Sequence, residues 1–128
     1  MSYYFNKTIS SSFEDALVKV TQALKEEGFG VLTEIDVKAT FKKKLDVDFK
    51  NYRILGACNP TFAHKAISAE DKIGVFLPCN VVVEENEDGS VEVSAVDPIA
   101  SMSSVENPAL DEIASGVRDK MKAVIDAL

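Results

Sequence analysis

Both cysteines and the single histidine of this chain fall between positions 58 and 79, in the runs Gly56-Ala57-Cys58-Asn59-Pro60, His64 and Leu77-Pro78-Cys79-Asn80. Cys58 stands just before an expected helix start. Unpaired N–H groups and the helix macrodipole stabilise an anion there and can lower a thiol pKa, which suits a reactive or ligand-binding thiol. The same residue can equally serve as a small apolar side chain filling a strand–helix junction. His64 lies four residues after Pro60, and helical side chains lean toward the amino terminus, so it can reach back toward Cys58. A nucleophilic Cys–His pair also needs an oxyanion donor and an orienting carboxylate or amide, and no local spacing supplies them. Cys58, His64 and Cys79 could instead offer zinc three ligands, with Glu34, Asp36 or water as the fourth, although the spacing matches no zinc knuckle. Non-catalytic binding of a small polar ligand is the third chemistry, bordered by Cys58, Asn59, His64, Cys79 and Asn80 and by the charged strand positions Glu34, Asp36 and Lys38. In extended chain Cys79 and Asn80 face opposite sides, so one pocket can hold both only with a bulge, which Pro78 would favour.

The elements that must position these residues belong to a chain of 128 residues with 46% hydrophobic and 27% charged content, the size of one ordinary domain. No apolar run approaches the roughly 18 residues that cross a bilayer, so no membrane association is expected. The opening Met1-Ser2-Tyr3-Tyr4-Phe5-Asn6-Lys7 lacks the basic and apolar stretches of a secretory signal, and a cytoplasmic location is the expectation. A net charge of −7 argues against nucleic-acid binding, because Lys and Arg neutralising phosphates supply most of that affinity. Lys42-Lys43-Lys44, with Lys38 and Lys50 nearby, reads as a solvated face. The cysteines are too far apart for a C-x-x-C pair, and free thiols are expected in a reducing compartment.

Residues 2–9 mix aromatic and β-branched side chains and read as a strand. Ser11 and Glu14 stand at capping-box spacing before a helical stripe of Phe13, Ala16, Leu17, Val20, Ala23 and Leu24, closed by Gly28 as a left-handed C-cap. Val31 to Lys38 alternate, placing Val31, Ile35 and Val37 on one face of a strand and Glu34, Asp36 and Lys38 on the other. Ala39 to Leu45 could form a short helix. Tyr52 to Cys58 reads as a strand, and Asn59-Pro60 as N-cap and first residue of a helix buried through Phe62, Ala63, Ala66 and Ile67. Apolar stretches at Ile73–Leu77 and Val81–Glu84 are interrupted by Pro78. Asp88-Gly89 marks a hairpin turn into the alternating strand Val91 to Val96. The stretch from Asp97 to Glu106 is irregular. Asn107-Pro108 repeats the cap device before a long helix with the stripe Leu110, Ile113, Ala114, Val117, Met121, Val124, Ile125 and Leu128.

This order, β-α-β-β-α-β-β-α with an optional short helix after the second strand, describes one α+β domain over residues 1–128, a single-layer and mainly antiparallel sheet packed by helices. The echo between Leu55-Gly56-Ala57-Cys58-Asn59 and Leu77-Pro78-Cys79-Asn80 places two similar strand ends side by side.

Four segments resemble the domain of unknown function 302 family of prokaryotic proteins: Gly28 to Lys38, Tyr52 to Pro60, Ala63-His64 and Leu77 to Val81. The resemblance covers nearly the whole chain. Glu34, Asp36, Lys38, Cys58, Asn59, Pro60, His64, Pro78, Cys79 and Asn80 match its pattern. It implies a TATA-box-binding-protein-like α+β architecture and a homodimer, and it attaches no activity or cofactor to these residues. DNA binding is not carried over, because function lives in sites rather than folds. Three readings are open: a binding module without cofactor, a thiol- or metal-dependent enzyme or metal-binding protein using Cys58, His64 and Cys79, and a structural dimer whose motifs serve only caps and packing.

Overall fold

The computed structural model describes residues 2–128. Five strands, β1 (Tyr4–Ile9), β2 (Gly30–Asp36), β3 (Tyr52–Cys58), β4 (Cys79–Glu85) and β5 (Val91–Val96), form one sheet in the order β1-β5-β4-β3-β2, every pair antiparallel. Five α-helices join or follow them: α1 (Phe13–Glu26), α2 (Val37–Leu45), α3 (Pro60–Ala69), α4 (Pro98–Ser101) and α5 (Ala109–Asp126), with a 3₁₀ segment at Asp71–Phe76. This is the expected α+β architecture.

Period-two alternation decides which face is covered. Leu55, Ala57, Cys79, Val81, Val83, Val91, Val93 and Ala95 share one face and are buried beneath α1 and α5 together with Phe13, Val20, Leu24, Met121 and Val124. Tyr4, Asn6, Glu92, Ser94, Asn80, Val82, Glu84, Tyr52 and Ile54 share the opposite face. None of these is buried. Of the stripe expected of α5, Leu110, Ala114, Val117, Met121, Val124 and Ile125 are buried, while Ile113 is half-buried and Leu128 lies beyond the helix end. Lys7 points inward from edge strand β1 and donates to the carbonyls of Asp126, at 3.3 Å, and Leu128. Its ammonium thus serves orphan acceptors at the end of α5 and places a charge on a sheet edge.

Local chemistry moves several boundaries from their expected places. Ser12, not Ser11, caps α1, its hydroxyl accepting the Asp15 N–H at 3.1 Å, while the Ser11 hydroxyl donates to the Ser12 carbonyl. Gly28, at φ +85°, closes α1 as expected, with Phe29 N–H bonded to Leu24 O at 2.9 Å. The second strand does not reach Lys38: Asp36 accepts the Ala39 N–H at 3.0 Å and so becomes the cap of α2, which starts at Val37. A bulge between Val31 and Thr33 inserts one residue opposite β3 and reverses the expected parity. Val31 therefore shares its face with Glu34 and Asp36, and Ile35 points to the uncovered side. The stretch after Asp97 is less irregular than expected, because the Asp97 carboxylate accepts the Ile99 N–H at 3.0 Å and starts α4. Pro108 rather than Asn107 occupies the position before α5, yet the Asn107 carboxamide still accepts the Ala109 N–H at 3.0 Å.

Met121 is fully buried where α5 crosses the sheet. Met121→Ala is expected to destabilise the fold by about 3 kcal/mol through lost burial and the cavity left behind, as read by chemical denaturation.

Candidate functional site

The end of β3 and the start of β4 lie side by side: Ala57 pairs with Cys79 and Gly56 with Asn80. The two similar strand ends are neighbours, as the sequence echo suggested. A Cβ on Gly56 would lie 2.1 Å from Thr33 Oγ1 and 2.7 Å from Pro78 Cγ, so only glycine permits this convergence of β2, β3 and the residue entering β4. Above it, α3 leaves β3 and packs against α5. Gly116 makes that approach close, since a Cβ there would lie 2.9 Å from the Phe62 ring.

These elements do not close on one another completely. Between them lies a cavity of about 280 Å³ walled by β3 and β4 ends (Ala57, Cys58, Cys79), by α3 (Phe62, Ala63, Ala66, Ile67) and by α5 (Ile113, Ala114, Val117). It sits where the main core meets a smaller cluster of Ala66, Ile73 and Leu110. Its mouth is marked by Leu32 and Ile67, which line it and are exposed. The wall is apolar except for two thiols and the Asn59 carboxamide.

Asn59 is already engaged. Its Oδ1 accepts the Phe62 N–H at 3.5 Å as the cap of α3, and its Nδ2 donates to Glu27 O at 3.4 Å, tying the end of α1 to the start of α3. The thiols differ. Cys58 is half-buried, whereas Cys79 is 8% exposed, and both are free. Burial pushes the Cys79 thiol up to about 11, with the neighbouring Cys58 adding to the shift.

The other candidates lie elsewhere. His64 is exposed on α3 and does not line the cavity, so the helix turns it away from the thiols. Asn80 faces the uncovered side of the sheet, in a shallow depression with Tyr52, Glu84 and Ser94. No bulge at Pro78 swings it toward Cys79, because β4 pairs with β3 in unbroken register from Cys79 onward. Glu34 and Asp36 flank Arg53 at 2.7 and 3.2 Å. The bond to Glu34 raises the guanidinium pKa above its ordinary value, and the group stacks 5.8 Å from the Phe13 ring. This cluster sits five strand residues from Cys58, about 17 Å at the usual rise. Lys38 is exposed on α2. Among the described residues no three His, Cys, Asp or Glu side chains are grouped to hold a metal ion, so Cys58, His64, Cys79, Glu34 and Asp36 do not form the zinc set that their chemistry allowed. Sequence reasoning placed Phe62, Ala63, Ile113 and Val117 in packed stripes and missed their second role as cavity wall. The signal for it was the run of small residues Ala63, Ala66, Ala114 and Gly116 where two helices face each other.

Fold and cavity together define an α+β domain with one sheet face covered by helices and an apolar pocket at the sheet's end. Residues 5–128 match the family model "Domain of unknown function DUF302", and the chain belongs to that family. A crystal structure of an uncharacterized conserved DUF302 protein from Bacillus stearothermophilus has a TM-score of 0.91 and 28% identity, covering 99% of this chain and 98% of the other. An uncharacterized protein of Aquifex aeolicus (strain VF5) is 28% identical over 93 residues, 73% of this chain. The chain spans 58% of that relative's length.

Ionisation of Cys79 generates a pH dependence of stability. An unfolded thiol ionises near its ordinary value of 9.0, the folded one near 11, so above 9 the unfolded state loses its proton first and is favoured. The contribution is present in full below pH 9 and lost as pH rises to about 11. Relative to Cys79→Ala, the wild type is expected to lose on the order of 2 kcal/mol across that window in denaturation experiments at stepped pH.

Proposed function

We propose that this protein is a non-catalytic binding module whose cavity between β3, β4, α3 and α5 holds a small apolar molecule. The observation that carries this reading is a preformed hollow walled by aliphatic and aromatic side chains and open beside Leu32 and Ile67. A cavity of about 150 Å³ takes up benzene. The roughly twofold larger volume here admits an alkylbenzene or a small bicycle. The ligand is thus apolar rather than the small polar one suggested by Glu34, Asp36 and Lys38, which stand apart from the cavity.

4-Phenylbutan-2-one is a suitable probe. Titration followed by amide NMR shifts is expected to give saturable changes at Cys58, Ala63 and Ile113, and Ala63→Leu, which fills the cavity, should reduce them at least about tenfold in affinity. No saturable shift at millimolar probe would overturn the reading.

The protein acts, in this proposal, as a homodimer in a prokaryotic cytoplasm. The supporting observation is the uncovered sheet face, where Tyr4 and Ile35 are exposed and Ile54, Val82 and Val96 are only half-buried. A second copy related by a twofold axis buries such a face by a self-complementary contact. Sedimentation equilibrium at micromolar concentration should give twice the 13.9 kDa chain mass, and Ile54→Lys should return it to monomer with the fold retained. A wild-type monomer would refute the dimer.

A further inference from the structure

We propose that residues 37–50 form a basic, apolar arm that docks, in the homodimer, on the acidic β4–β5 hairpin of the second copy. The inference rests on the reading of the uncovered sheet face as a dimer contact and names the interaction that sets its register. The arm leaves the sheet after Asp36 and returns at Tyr52. Its helix, α2, has nine residues and none is buried, and no residue of the arm enters either apolar core. A helix this short is marginal in water unless something packs on it. Leu45, Val47 and Phe49 are nevertheless exposed. The rings of Phe41, Phe49 and Tyr52 run in series, with centroids 5.1 and 6.1 Å apart, so the arm continues the uncovered face on which Tyr52 lies.

Charge selects the occupant. The arm holds five lysines and two aspartates, a net +3, whereas the remainder of the chain carries −10. Residues 84–92 hold five of those carboxylates, Glu84, Glu85, Glu87, Asp88 and Glu92, and no basic group. Among the described residues only Glu84 of the five meets a lysine, Lys50 at 2.6 Å. Lys42 is held by Asp46 and Asp48 of the arm itself at 3.0 and 3.3 Å, while Lys43 and Lys44 meet no carboxylate among the described residues. Arm and hairpin stand at the same end of the sheet, since Tyr52 pairs with Glu84 and Glu84 with Glu92. A twofold axis along β4, the middle strand, carries the β2–β3 edge of one copy over the β5–β1 edge of the other without exchanging the strand ends. Each arm then meets the other copy's hairpin, and the two contacts are identical. An anionic lipid surface would attract the same lysines, but the −10 carried by the remainder of the chain opposes its approach.

The test is a charge swap between copies, read by sedimentation equilibrium with far-UV dichroism confirming that each variant is folded. One variant reverses the arm (Lys43→Glu with Lys44→Glu) and the other the hairpin (Glu87→Lys with Glu92→Lys). Each alone should weaken the homodimer by about tenfold or more through like-charge contacts. General repulsion predicts the opposite sign for the hairpin variant, which is less acidic than the wild type. Mixed one to one, the two variants should form a heterodimer of near wild-type affinity, because both arm–hairpin contacts are then of opposite sign. A pairing confined within one copy would not be rescued by mixing. Wild-type affinity in both variants, or no heterodimer in the mixture, would overturn the arm contact; the dimer reading survives that result if Ile54→Lys still gives monomer. A monomeric wild type removes both, and lysine-dependent sedimentation of that monomer with phosphatidylglycerol vesicles would assign the arm to a lipid surface instead.

Discussion

One sheet has α1 and α5 packed on one face, and every placement in this molecule depends on that asymmetry. A strand residue is either under α1 and α5 or on the uncovered face, so a single step along the chain decides between core and surface. Cys79 and Asn80 are adjacent in sequence and end on opposite sides of the sheet. The bulge in β2 shows how sensitive the rule is, since one extra residue transfers Glu34 and Asp36 to the helix side, where Arg53 neutralises them. Both carboxylates keep much of their solvent contact, so the ion pairs fix the Arg53 side chain more than they rescue buried charge.

Much of the architecture was legible because the patterns were long. The buried stripe of α5 and the caps at Asn59 and Gly28 depend on spacing and backbone chemistry within a few residues. So does the hairpin at Asp88-Gly89. What spacing could not reveal was competition between neighbours of similar chemistry: Ser11 and Ser12 are both competent caps, and it is Ser12 whose hydroxyl accepts the Asp15 N–H. The turn from β2 into α2 was hidden similarly, because Val37 and Lys38 continue the alternation while Asp36 captures the Ala39 N–H.

The candidate site was legible in its location and not in its composition. Cys58, Asn59 and Cys79 are together at the cavity because β3 and β4 are antiparallel neighbours in a fixed register. Glu34, Asp36, Lys38, His64 and Asn80 were grouped with them by polarity alone, and polarity says nothing about which way an element turns a side chain. A hollow is harder still to read, since it arises from what two apolar stripes fail to fill. Gly116 brings the Phe62 ring against α5, and Ala63, Ala66 and Ala114 on the facing helices supply too little volume to fill the space behind it.

Both ends of α3 are fastened by asparagine carboxamides. Asn59 bonds the end of α1 to its start, while Asn107 donates to Ala69 O at 3.0 Å and Glu70 Oε1 at 3.2 Å at its finish. Along its length only Ala66 is buried, so the helix that walls the cavity is clamped at its tips and lightly seated between them. Such a member behaves as a beam on two supports: it bows in the middle more easily than it lifts off. Filling the hollow would strain the middle of α3 first and pass force to its two amide clamps, and through them to α1 and α5, without requiring the sheet to move.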